Sequence, residues 1–167
     1  MNDFMKNLIR KAAENPKRIA FPEAGNPDIL RLCEAVHAKG LGTPVLMDSA
    51  EAVETRAKDL DVNTEGFAYF DCADEDRRRE LAEKLLAGSG DLTEKAVLRK
   101  AKDPVRCGLL MLKAGLVDAV AAGREYATGA VIFEAIRLIG PPPGVERPPS
   151  LGLSDIPALR GGDSGPL

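Results

Sequence analysis

Residues 18–47 read RIAFPEAGNPDILRLCEAVHAKGLGTPVLM, and the hydrophobic period changes twice within them. Arg18-Ile-Ala-Phe21 is a short apolar run that stops at Pro22-Glu-Ala-Gly25. Asn26-Pro27 then opens a helix, because Asn accepts from free backbone N–H groups and Pro is tolerated at the first helical position. Ile29, Cys33 and Val36 fall on one helical face, and Gly40 follows where a left-handed cap costs glycine little. Thr43-Pro-Val-Leu-Met47 is apolar again and predicts a second strand. Strand, helix, strand is the unit of a parallel sheet, since parallel neighbours need a crossover between them.

The same alternation continues outward. Asp48 or Ser49 caps a helix to about residue 59, and Phe67-Ala-Tyr-Phe70 is a third strand. Helices follow over 74–87 with Leu81, Leu85 and Leu86 on the apolar face, from Thr93 to about 102, and from Asp103-Pro104 to Gly115. Val117–Ala122 is almost wholly apolar and reads as a strand covered on both faces. A last helix over 128–139 is expected to face Val131, Ile132, Ala135, Ile136 and Ile139 inward. Ahead of the first strand, residues 3–14 form a short amphipathic helix with Phe4, Leu8 and Ala12 on one side. The expected fold is α/β, a mostly parallel sheet with helices on both faces in three layers. It is expected to be incomplete at the C-terminus, because thirteen of the residues 140–167 are Pro or Gly. Residues 1–139 are read as the α/β domain and 140–167 as a tail or linker toward a second, missing domain.

Composition narrows the function. The chain has 167 residues, 44% apolar and 29% charged, which suits one globular domain. Lys+Arg 23 against Asp+Glu 26 gives a net charge of −3, without the basic excess expected of a nucleic-acid or anionic-membrane binder. Three scattered cysteines (Cys33, Cys72, Cys107) contain no CxxC pair and read as small buried hydrophobes in a reducing compartment, so a cytoplasmic location is expected. His37 is the single histidine, placed inside a periodic helix, and cannot build the usual zinc site alone. No metal is expected.

Ligands of parallel α/β sheets bind outside the carboxyl ends of the strands. Two such ends carry suitable chemistry. At Pro22–Pro27 a tight turn opens a helix N-terminus, with Glu23 and Asn26 as candidate substrate-binding residues. At Gly123–Gly129 a permissive glycine, Arg124 and a Thr128 hydroxyl at the expected cap position could cradle a phosphate on backbone N–H groups. Neither a G-x-x-x-x-G-K-[ST] nor a G-x-G-x-x-G pattern is present, and both segments also read as plain turns and caps. Arg77-Arg78-Arg79, amid Asp74, Glu75, Asp76 and Glu80, reads as a solvated helix face. No catalytic residue is assigned.

In order, RIAFPEAGNPDILRLCEAVHAKGLGTPVLM, KDPVRCGLLMLKAGLVDAVAAG and IRLIG followed by PPPGVERPPSLGLSDIPAL resemble the phosphate acetyl/butyryltransferase family from about Arg18 to Pro157. The resemblance implies reversible acyl transfer between coenzyme A and inorganic phosphate, with coenzyme A a substrate and no bound cofactor. It also implies longer proteins whose cleft lies between two domains, so this chain is expected to be truncated and weakly active or inactive alone. Leu86-Ala87-Gly88-Ser89-Gly90 stands where the family has Arg-x-x-Lys-Gly, Ala127-Thr128 where it has Ser-Thr, and Phe133 near a family arginine. Phosphate and acyl-coenzyme A are the implied partners, and a homo-oligomer is left open. The alternative is a non-catalytic module binding phosphate, acyl phosphate or a partner chain.

Overall fold

The structure, a computed structural model, describes residues 3–88, 92–141 and 144. Of the tail expected over 140–167, all but Gly140, Pro141 and Gly144 lie outside the described residues.

Four parallel strands form one sheet: β1 (Lys17–Phe21), β2 (Gly42–Leu46), β3 (Ala68–Tyr69) and β4 (Ala119–Val120), in the order β3-β2-β1-β4. Seven helices accompany them among the described residues: α1 (Asp3–Glu14), α2 (Pro27–Ala38), α3 (Ala50–Asp59), α4 (Glu75–Gly88), α5 (Glu94–Lys100), α6 (Pro104–Lys113) and α7 (Thr128–Leu138). The helix starts follow the cap chemistry. Asn26 accepts from the N–H groups of Asp28 and Ile29, Ser49 from Ala52, Thr93 from Ala96, and Asp103 from Arg106.

Side chains of a strand alternate between faces, and this divides the core. Ala20, Val45, Ala68 and Val120 face one side, packing with Leu81, Leu85, Val97, Cys107 and Leu110 of α4, α5 and α6. Phe21, Leu46 and Tyr69 face the other, with Leu30, Cys33, Val53 and Ala57 of α2 and α3. The chain steps outward from β1 to β3 with helices on one face, then returns past β1 to β4 with helices on the other. This is the expected three-layer parallel α/β arrangement, and its reversal point lies between β1 and β4. Helix α6 is buried nearly all round, and at Gly108 it approaches the sheet so closely that a Cβ would stand 3.5 Å from both Ala20 and Val120.

Three expectations change. Val117–Ala122 forms a shorter strand than expected, β4 being Ala119–Val120 and pairing only with β1 among the described strands. Its two faces do meet the two core clusters, Val117 and Val120 packing with one and Ala121 with the other, although Ala119 and Val120 are only half-buried. Backbone bonds from Asp118 N–H to Arg18 and from Ala121 N–H to Ala20 extend its contact with β1. Helix α7 is turned relative to the apolar reading, since Ile132, Phe133, Ile136 and Ile139 are exposed while Leu138 is buried. Its orientation is tied down by Arg106–Glu134 and by Lys113, whose ammonium donates to the Leu138 carbonyl at 3.0 Å. Leu86 likewise points outward from α4.

Candidate functional site

The strand ends of β1 and β4 meet at the reversal point, and the residues expected there do come together. Glu23 is 3% exposed. Its Oε1 accepts from the backbone N–H of Gly123 (3.1 Å), Glu125 (2.7 Å) and Tyr126 (3.0 Å), and its Oε2 from Arg124 N–H (3.1 Å). Gly123 has φ +125°, a conformation side-chain-bearing residues rarely adopt, and it lets the loop curl its donors around one carboxylate. The donors expected to meet a ligand anion meet an internal one. Burial alone would raise the Glu23 pKa, but the four N–H donors outweigh it and hold the carboxyl below its ordinary 4.5.

The neighbouring side chains are engaged as well. Arg124 Nη2 and Nε donate to Asp28 Oδ2 at 2.6 and 3.2 Å, and Asn26 Nδ2 donates to Glu125 Oε1 at 2.8 Å while its Oδ1 caps α2. Thr128 differs from expectation. Ala127 takes the N-cap position of α7 with no side-chain cap bond, and Thr128 is the first helical residue. The extended Ala127 leaves no capping oxygen, because the turn is already organised by Glu23.

A cleft of about 260 Å³ opens beside this knot, at the carboxyl ends of β1, β2 and β3. It is lined by Pro22, Ala24, Gly25, Met47, Asp48, Asp71, Cys72, Ala73, Lys102 and Pro104. Among the described residues Lys102 is the only cation of the lining, and its ammonium has no side-chain partner there. Asp48 is held by Arg56 at 2.6 Å, and Asp71 accepts from Ala73 N–H at 2.7 Å. Behind the lining lies Arg78, 3% exposed, whose Nη1 donates to the carbonyls of Cys72 (2.6 Å) and Ala73 (2.7 Å).

The solvated reading of the arginine run is therefore wrong for its middle member. Arg77 and Arg79 pair with Glu80, Glu75 and Asp76 at the surface, while Arg78 fixes the cleft wall. The signal was available: Arg78 is three and seven residues before Leu81 and Leu85, on the buried face of the helix. Lys102, Asp48 and Asp71 carried no comparable pattern, because loop ends far apart in sequence build this cleft.

The three thiols, Cys33, Cys72 and Cys107, are free and all buried. Burial pushes the Cys33 thiol up to about 12, and a hydrogen bond with Cys72, followed by burial, raises that of Cys107. His37 packs edge-on against Phe67 with ring centroids 6.2 Å apart, as a helix-packing residue would. Among the described residues, no group of three or more His, Cys, Asp or Glu side chains is placed to hold a metal ion, and no helix is long and apolar enough to cross a membrane.

A parallel sheet layered by helices on both faces, with a cleft at its strand ends, places the chain in the class of doubly wound α/β folds. Within that class the family is specific: the family model described as "Phosphate acetyl/butaryl transferase" matches residues 3–156, and the chain belongs to this family. It is 25% identical over 164 residues to a phosphate acetyltransferase of Acetivibrio thermocellus, covering 97% of this chain and 49% of that protein. It is 27% identical over 144 residues to one of Helicobacter pylori, covering 85% of this chain and 28% of that protein. A phosphotransacetylase structure from Streptococcus pyogenes shares the fold with a TM-score of 0.74 at 21% identity, over 88% of this chain and 46% of the other. The chain thus spans half or less of the length of these relatives.

Proposed function

We propose that the chain forms one lobe of a phosphate acyltransferase and contributes the Lys102 cleft to acyl transfer between coenzyme A and inorganic phosphate. The observation that carries this reading is the family match over residues 3–156. In the transfer, a phosphate oxygen attacks the thioester carbonyl carbon, the carbon–sulfur bond breaks, and the thiolate leaves to take a proton as the acyl phosphate departs. Such a reaction needs cations around phosphate and donors where negative charge develops on the carbonyl oxygen.

Only part of that equipment is present in the cleft. Lys102 stands against Asp48 and Asp71, a balance that holds a phosphate dianion poorly without further cations. The N–H groups of Gly123–Tyr126 are committed to Glu23, so in this reading Glu23, Asn26, Gly123 and Arg124 shape the cleft's neighbour and do not bind phosphate. The three buried free thiols fit a reducing, cytoplasmic setting.

The test is phosphate-dependent thiol release from acetyl-coenzyme A by the chain alone. Slow release, lowered further in Lys102→Gln, is expected. Rapid turnover indifferent to Lys102→Gln would place the chemistry elsewhere, and no phosphate-dependent release at high protein concentration would remove the catalytic reading for this chain.

A further inference from the structure

A second cleft, of about 250 Å³, lies between α5, α6 and α7 and shares no residue with the first; Arg99, Lys100, Arg106, Glu134 and Arg137 line it. Four cations thus face one carboxylate. Arg106 Nη2 donates to Glu134 Oε1 at 3.0 Å, and Arg137 approaches the same oxygen at 3.6 Å while stacking over Phe133. Lys100 makes no side-chain hydrogen bond or ion pair within 4.0 Å among the described residues and acts on Glu134 only through its charge at longer range. Outside this cleft every described arginine has a carboxylate within 4.0 Å. Arg99 has none among the described residues.

Such an excess is out of character for a chain of net charge −3, and gathering like charges in one concavity costs repulsion that an anion would relieve. We propose that this cleft is a binding site for a small molecule carrying a diphosphate group. Guanidinium groups match phosphate oxygens in pairs, and four cations converging from three helices suit more negative charge than one orthophosphate carries. Helices α5 and α6 are joined by the short turn that also carries Lys102, so occupancy here adjoins the first cleft without using its residues.

The experiment is calorimetric titration of the full chain with inorganic diphosphate, with orthophosphate and adenosine diphosphate as separate arms. One saturable diphosphate site is expected, tighter than orthophosphate, weakening with added salt and weakened at least tenfold in the Arg99→Gln/Lys100→Gln double variant. Lys102→Gln, in the other cleft, is expected to leave it within twofold. Thermal unfolding of each variant checks that the fold persists. Whichever of diphosphate and adenosine diphosphate binds tighter identifies the source of the group. Absence of saturable binding, or binding that survives the double variant or is lost in Lys102→Gln, overturns the proposal.

Discussion

Around Glu23, one carboxylate meets four backbone N–H donors, and each of the four finds its acceptor in the chain. Around Glu134, one carboxylate meets two guanidinium groups, while a further arginine and lysine of the cleft have no carboxylate within 4.0 Å among the described residues. Both arrangements gather donors at a concave place beside helix ends. The difference is whether the counter-charge is built into the chain. Where it is, the donors belong to the fold; where it is not, they are available to a ligand. Clustered donors alone do not define a site, and the partner census decides which kind a cluster is.

Removing the built-in anion is the harshest way to break the comparison. Glu23→Ala strands several buried N–H groups and is expected to cost about 3 kcal/mol in urea unfolding, with Glu23→Gln costing about half of that. Mild acid does the same reversibly. The carboxyl of Glu23 is held below 4.5 in the fold by the four N–H donors against burial, and that of Glu134 by the Arg106 hydrogen bond against partial burial. The folded protein therefore binds fewer protons than the unfolded chain in this range. Their contribution is complete above the ordinary carboxylate range and is lost as pH falls below 4.5 through the depressed values. Unfolding free energy measured against pH should decline there in wild type and decline less in Glu23→Gln.

Smaller changes sharpen the contrast. Gly123→Ala meets only the Thr128 hydroxyl at 4.0 Å, so its cost is the φ of +125° alone, about 1–2 kcal/mol. Glu134→Gln weakens an ion pair whose carboxylate is mostly buried and whose guanidinium is partly exposed, and is expected to cost about 1 kcal/mol. Arg124→Ala removes an ion pair whose side chains are 61% and 57% exposed, so denaturation should shift by no more than about 0.5 kcal/mol.

The fold was legible because its signals are local. Asn26-Pro27, Ser49, Thr93 and Asp103-Pro104 each begin a helix through a side chain bonding two or three residues away, and the apolar runs fall where strands form. The site was legible in part. The strand ends at Glu23 and at Gly123–Thr128 were recognisable as places where backbone donors gather, yet the identity of the acceptor depends on a contact across about one hundred residues, which no spacing encodes. For the same reason α7 misled in part: Val131 and Ala135 pack against the core as read, but Ile132, Ile136 and Ile139 do not, since what covers a helix face is set by elements distant in sequence.

The central claim is that the Gly123–Tyr126 donors are already filled by Glu23. Amide NMR during titration with inorganic phosphate tests it most directly. These four N–H resonances are expected to stay put with phosphate and to move when Glu23 is protonated or replaced by Gln. Saturable shifts of the same amides with phosphate in the unaltered protein at neutral pH would contradict it.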